Sequence, residues 1–207
     1  MAENLWLYAV LVFGIVVLPG MDMAFVLAST LADGRRAGFA AVAGLTLGGL
    51  GHVLMSACGI GLLLQRWPAL SNAVLAVGAL YVAWLGLSLA RHTGALVQVA
   101  DAPSRPLHVT FARATATCLL NPKAYLFMLA VFPQFLRPER GGLWWQALSL
   151  FLVGAASQVL VYGSVALAAD RVRSALRDSA RAQVALGRSI ALLLMLTAAW
   201  ALTSGWR

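Results

Sequence analysis

Two charges stand where a charge is costly. Asp22 and Lys123, the single lysine of the chain, fall inside apolar stretches, and each closely follows a proline, Pro19 or Pro122. At the centre of a bilayer such a side chain costs about 2.5–3.5 kcal/mol on insertion scales, so it faces a bundle interior, pairs, or lines a path. A proline within a helix removes one backbone hydrogen bond and clashes with the carbonyl four residues back. In lipid the freed groups must be met by neighbours or by a lined cavity. Each break therefore predicts a half-helix N-terminus with unsatisfied N–H groups and a positive dipole end. Freed donors beside one anion and one cation suit a zwitterion carrying carboxylate and ammonium groups. The candidate substrate-binding residues are Pro19, Gly20, Asp22, Asn121, Pro122 and Lys123, with Asp22 and Lys123 expected to approach one another. A purely structural buried pair is the alternative.

Other residues carry weaker signals. His52 could titrate near neutral pH, which makes it, with Asp22, a candidate for proton coupling; a neutral, hydrogen-bonded structural histidine is the competing reading. Gln158 and Tyr162 lie one helical turn apart and share a face, with interhelical hydrogen bonding as their default role. Gly38, Gly44, Gly48, Gly49 and Gly51 crowd one segment, and Gly44 and Gly48 have the small-xxx-small spacing of close helix packing. Their expected partner is the first helix or a second subunit, so a homo-oligomer is open. Cys58 and Cys118 both fall in apolar segments and read as buried thiols.

The elements that position these residues follow from composition. Of 207 residues, 61% are hydrophobic and only 11% charged, where a soluble domain carries about 25% charged residues. This excludes an ordinary soluble domain and also disorder, which requires low hydrophobicity. Uncharged stretches run Asn4–Met21, Ala37–Gln65, Trp67–Ala90, Ala124–Leu136, Gly141–Ala169 and Ser189–Trp206. A spanning helix needs about 20 mostly apolar residues, and the fourth stretch reaches that once Phe111–Asn121 is joined to it. The expected fold is an all-α membrane protein with six transmembrane helices: 5–31, 37–64, 69–91, 110–136, 143–169 and 186–206. The chain reads as one transporter domain, with repeat one at about 1–91, a polar connector at 92–109 and repeat two at about 110–207. Three helices per half force the second half to enter from the opposite side, which fits an inverted-topology repeat. Pro19-Gly20 and Asn121-Pro122 interrupt helices one and four at similar depths, and paired interruptions point to a site near the midplane.

The motifs around these breaks have a family likeness. Pro19-Gly20-Met21-Asp22, then Asp33-Gly34-Arg35-Arg36-Ala37-Gly38 and Gly44-Leu45-Thr46-Leu47-Gly48, resemble the first signature of the lysine-exporter (LysE/RhtB) family. Leu120-Asn121-Pro122-Lys123-Ala124-Tyr125-Leu126-Phe127 followed by Pro133-Gln134-Phe135 resembles the second. Gly78-Ala79-Leu80-Tyr81 with Leu85-Gly86 is similar to the family's third helix. The resemblance implies six helices and efflux of amino acids or close derivatives, driven by the proton gradient. In two places the chain departs from the family pattern: Met21 stands where a second proline is usual, and Gly49 where an acidic residue is frequent. The first bears on the shape of the break, the second on substrate or coupling chemistry.

The formal charge of +8 and pI near 10.8 would suggest nucleic acid in a soluble chain, but here the basic residues sit between apolar segments. Arg35, Arg36, Arg91, Arg105, Arg113, Arg171, Arg173, Arg177, Arg181 and Arg188 follow helices one, three and five, against Arg66, Arg137, Arg140 and Arg207 on the other side. By the positive-inside rule, the first set is cytoplasmic and both termini lie outside, in the cell (inner) membrane. No nucleic-acid partner is expected; anionic lipid would attract the Arg173, Arg177, Arg181 stripe. Trp67, Trp144, Trp145 and Trp206 fit interfacial anchors on the outer side. The N-terminus lacks a basic n-region and a clear cleavage site, so it is expected to remain as the first helix. No nucleotide loop, H-E-x-x-H or C-x-x-C motif occurs, so neither an enzyme nor a cofactor or metal site is expected. The rival reading is a membrane thiol-disulfide carrier using Cys58 and Cys118, which would need Cα atoms within about 7 Å. A structural subunit without transport leaves the breaks and charges unexplained. Neutral or basic amino acids and small amines are the candidate substrates.

Overall fold

The computed structural model describes residues 2–58, 67–92, 105–137, 142–175 and 179–204, and these are helical apart from short breaks and turns, with no strand among them. Helix α1 (Ala2–Val17) and α2 (Met21–Asp33) are the two halves of the first apolar segment, bent by 54° at Leu18-Pro19-Gly20. Helix α3 (Arg35–Ala57) follows through Gly34 and α4 spans Pro68–His92. The fourth segment is also divided, into α5 (Leu107–Leu119) and α6 (Pro122–Ala130), and ends in a 310 turn at Phe132–Phe135. Helices α7 (Leu143–Ala175) and α8 (Ala180–Ser204) complete the chain.

Among the described residues, α3 and Leu143–Ser174 of α7 are each long and apolar enough to cross a membrane, and the bent α1–α2 pair adds a third span if it counts as one. The fourth segment fails that test for a physical reason. At 1.5 Å per residue, the 13 residues of α5 and 9 of α6 reach about 20 and 14 Å, each short of a bilayer core of about 30 Å. The breaks were expected at Pro19-Gly20 and Asn121-Pro122, and both occur there. Trp67, Trp144 and Trp145 are exposed, as are Trp6, Trp84 and Trp200; Trp206 lies outside the described residues. Exposed Leu, Val, Phe and Trp side chains coat the outer faces of the helices, as lipid requires.

The core is assembled around α3, which packs against α5, α7 and α2, while α4 packs against α8. Small residues permit the closest approaches. A Cβ on Gly44 would come within 2.8 Å of the Ala114 Cβ, one on Gly48 within 2.5 Å of the Cys118 Cβ, and one on Gly51 within 2.8 Å of Leu119. The partner of this glycine stripe is thus α5, rather than the first helix. Gly38 alone of the group faces the first segment, against Thr30. Gly34 joins α2 to α3 with φ +82°, a conformation that side-chain-bearing residues rarely adopt, and its N–H closes α2 on the Thr30 carbonyl at 2.8 Å.

The connector between the fifth and sixth segments is more helical than expected. Helix α7 continues past Ala169 to Ala175 and carries Arg173 back onto α2. There the Arg173 Nε donates to the Leu31 carbonyl at 3.0 Å and an Nη donates to that of Ala32 at 3.4 Å. Arg173 therefore caps the end of α2 instead of lying free in a basic stripe. Arg177 lies outside the described residues.

Candidate functional site

The two prolines define the site by what they withhold. In an unbroken helix the N–H of residue 19 would bond the carbonyl of Ile15, and that of residue 122 the carbonyl of Cys118. Proline has no N–H, so both carbonyls need other donors. Lys123 supplies the first: its Nζ donates to Ile15 at 3.0 Å and to Leu18 at 2.9 Å. His52 supplies the second, its Nε2–H donating to the Cys118 carbonyl at 2.8 Å, with a further bond at 3.0 Å from the Asn121 N–H. The plugs are reciprocal. The second half of the chain satisfies the break in the first, and the first half satisfies the break in the second.

Gly20 makes room for this arrangement. A Cβ there would lie 3.2 Å from the Lys123 Nζ, so a larger residue would press on the ammonium group. Gly20 is also the N-cap of α2 and offers no side-chain cap. The other break is capped conventionally: the Asn121 Oδ1 accepts from the Lys123 N–H at 3.0 Å, with Pro122 opening α6, a favoured pairing of Asn cap and first-turn proline. That bond uses the oxygen of the Asn121 amide and leaves its NH2.

Asp22 and Asn121 are the notable pair. Asp22 is 4% exposed and Asn121 1%, with Asn121 beside the Asp22 carboxylate and Lys123 within electrostatic reach. Nevertheless the Asp22 Oδ1 and the Asn121 Nδ2 are buried without a hydrogen-bond partner among the described residues. Buried polar atoms are nearly always satisfied, and an orphan costs about 1–3 kcal/mol. Asp22 and Lys123 were expected to approach one another, and they do, although Lys123 spends two of its three donors on carbonyls and closes no direct ion pair with Asp22.

Both residues face a pocket at the junction of α1, α2, α3, α5, α6 and α7. His52, Gly49, Gln158 and Tyr162 line it too, as do Tyr8, Val12, Ile15, Val16, Phe127, Met128, Leu150 and Phe151. Tyr8 stacks edge-on with Phe132 and Phe135, and His52 with Tyr125 at 4.9 Å, which stiffens the wall. Pro19 is exposed at the bend. Gly44 lies away from the pocket, packed on α5, whereas the Gly48 contact places Cys118, a lining residue, against α3. Gln158 and Tyr162, read from the sequence as interhelical glue, line the pocket. Their spacing put them on one face, but nothing in the sequence said which way that face turned.

The cysteines do not suit a thiol-disulfide carrier. Both are free, Cys58 exposed and Cys118 buried. Cys118 packs at the level of Gly48, ten residues from Cys58 along α3, or about 15 Å at 1.5 Å per residue, beyond the 7 Å limit for a bridge.

Comparison with known proteins gives the same direction. The family model described as LysE type translocator matches residues 13–205. The chain is 34% identical over 134 residues to a leucine efflux protein of Enterobacter sp. (strain 638), covering 64% of each. It is 32% identical over 127 residues to a leucine efflux protein of Klebsiella pneumoniae, covering 59% of this chain and 58% of the relative. An uncharacterised membrane protein of Pseudomonas aeruginosa matches at 33% over 140 residues, 65% of each. The chain thus spans less than two thirds of these relatives' length. No solved structure matches it. With its broken helices, apolar exterior and the family match over most of its length, this multi-pass membrane protein belongs to the LysE type translocator family.

Proposed function

We propose that this chain exports amino acids across the cell membrane, binding them at the Asp22–Asn121 pair. One observation carries the reading: the buried Asp22 carboxylate and Asn121 amide lie side by side without closing a well-formed hydrogen bond, and both residues line one pocket. An α-amino acid presents the complement, an ammonium group to Asp22 and a carboxylate to the Asn121 amide. The leucine efflux relatives support this choice of substrate. Lys123 is a positioning residue in this scheme, holding α1 against α6, and its third N–H is left to face the bound carboxylate.

Export is driven by proton antiport, with Asp22 as carrier and His52 as second candidate. Asp22 is the acidic residue buried in the pocket, and it stands where an ammonium group would compete with a proton. The six segments form two inverted three-helix repeats. The pairing of α3 with α7, and of α4 with α8, supports this, because a two-fold exchange of the halves leaves both contacts unchanged. Both termini lie on the outer side of the inner membrane, and anionic lipid lies against the basic ends. The test is efflux from loaded proteoliposomes across a panel of amino acids, with and without an imposed pH gradient. Gradient-dependent export of at least one amino acid is expected; export of none would end the reading.

A further inference from the structure

The pocket is layered along α7. Tyr162, Gln158, Gly154 and Leu150 follow at four-residue intervals, and such residues stack on one helix face, about 6 Å apart at 1.5 Å per residue. Tyr162 stands in the Asp22 layer, within electrostatic reach of that carboxylate. Leu150 and Phe151 stand at the far end of this row and line the pocket with Tyr8, Phe127 and Met128. Between them lies Gln158, whose carboxamide makes no hydrogen bond to a described residue. It faces Gly49 across the pocket: a Cβ on Gly49 would lie 3.3 Å from the Gln158 Oε1 and 3.5 Å from its Nε2.

From this geometry we propose that Gly49 and Gln158 form the side-chain selectivity position of the site, and that it selects neutral, apolar side chains over cationic ones. The inference rests on the amino-acid reading above and names which amino acids are taken. A substrate held by its ammonium and carboxylate groups at Asp22 and Asn121 extends its side chain along the pocket past Gln158 and Gly49, toward Leu150. Leu, Val and aromatic residues there favour apolar atoms. A lysine or arginine side chain would bring a second positive charge into the layer. Gln158 is neutral, Gly49 has no side chain, and Asp22 is already engaged by the α-ammonium group. A cation buried without a counter-charge is strongly disfavoured. The glycine also leaves the space into which the Gln158 carboxamide turns, so position 49 decides whether the layer carries a charge.

The test uses the purified full chain in proteoliposomes, with counterflow of radiolabelled leucine competed by unlabelled leucine, lysine or arginine. In the parent protein lysine and arginine are expected to compete poorly. Gln158→Glu changes charge at constant shape, and Gly49→Asp places a carboxylate in the same layer from the opposite wall. Each is expected to shift the lysine-to-leucine competition ratio at least about tenfold toward lysine, the low end for a close charge pair. An unchanged ratio in both variants, with leucine counterflow retained, would overturn the assignment. So would loss of leucine counterflow in monodisperse Gln158→Glu without gain of lysine, which would make Gln158 a ligand of the carboxylate. If the parent protein exchanges no amino acid at all, the amino-acid reading itself fails and takes the selectivity position with it.

Discussion

The residues that matter most are those whose hydrogen bonds do not close. Asp22 lines the pocket with a buried carboxylate whose Oδ1 closes no well-formed hydrogen bond, and its replacement by Asn keeps the shape while removing both the charge and the titration. If Asp22 carries the proton, Asp22→Asn in proteoliposomes loses accumulation driven by a pH gradient yet still exchanges substrate down its own gradient. Full gradient-driven export by this variant would move the role to His52. The driving force at stake is large: one charge crossing 100 mV is worth about 2.3 kcal/mol, roughly a 50-fold bias. Lys123 makes a different prediction because its bonds do close. Lys123→Met strips donors from the Ile15 and Leu18 carbonyls, at about 1–3 kcal/mol for the partly buried Ile15 carbonyl and less for Leu18, which is exposed. It should lower the melting temperature in detergent, whereas Lys123→Arg, which keeps donors, should recover part of the loss. Equal melting temperatures for parent and Met variant would show that these bonds hold nothing. The prolines and charges were legible in the sequence because such residues are rare in apolar segments. The need for a donor at the Cys118 carbonyl was also within reach of it: Pro122 frees the carbonyl four residues earlier, and a buried donor then has to exist. Which donor supplies it was not legible, since His52 lies 66 residues away and only packing brings it there.

At the level of elements, the glycines of α3 divide by what surrounds them, and their substitutions should divide the same way. A side chain on Gly44 or Gly48 enters backbone and Cβ atoms of α5, including the Ala114 Cβ at 2.8 Å and the Thr115 carbonyl at 3.1 Å. Neither can swing aside as a flexible tip would. Overpacking of this kind costs about 1–3 kcal/mol, so Gly48→Val should sharply reduce the monodisperse fraction and the melting temperature. Gly14 in α1 is the contrast, with nothing within 4 Å of the place a methyl group would take. Gly14→Ala should be neutral or stabilising, by up to about 1 kcal/mol from helix propensity. If both substitutions behave alike, close α3–α5 packing is not what the glycines provide. The spacing of Gly44 and Gly48 announced a close approach but not its partner, because a small-residue stripe is complementary to any helix that can reach it. Helix α5 occupies the place expected of α1, with Phe111, Ala114, Thr115 and Cys118 against the glycines. The overrun of α7 to Ala175 was hidden for a related reason: Arg171 and Arg173 look like a loop when charge is the guide, yet Arg173 is used to finish α2.

For the whole molecule the open matter is which way it faces, and charge and pocket position bear on it together. The pocket is lined by α1, α6 and the stretch of α7 from Leu150 to Tyr162, with Asp22 of α2 and Gly49 and His52 of α3. The opposite end, where Gly34, Thr30, Gly38 and Arg173 meet, is filled by small residues and by Arg173 bonds to the last carbonyls of α2. Arg173 at that closed end belongs to the ten of fourteen arginines that the sequence assigns to one side, and by the positive-inside rule that side is expected to be cytoplasmic. On the proposed orientation the closed end is inside and the pocket turns toward the outer side, the arrangement expected of an exporter after its substrate has crossed. Orientation can be tested at two exposed positions, Ser179 near the basic end and Leu143 near the other. On a background with Cys58 and Cys118 replaced by alanine, a membrane-impermeant maleimide applied to intact cells should label Leu143→Cys and spare Ser179→Cys. Breaking the cells should expose Ser179→Cys to the reagent, which separates a sheltered site from an unreactive one. Labelling of Ser179→Cys in intact cells, with Leu143→Cys spared, would invert the molecule and turn its pocket toward the cytoplasm. In that orientation the same closed end would seal the outer face, and Arg173 would hold shut the exit rather than the entrance.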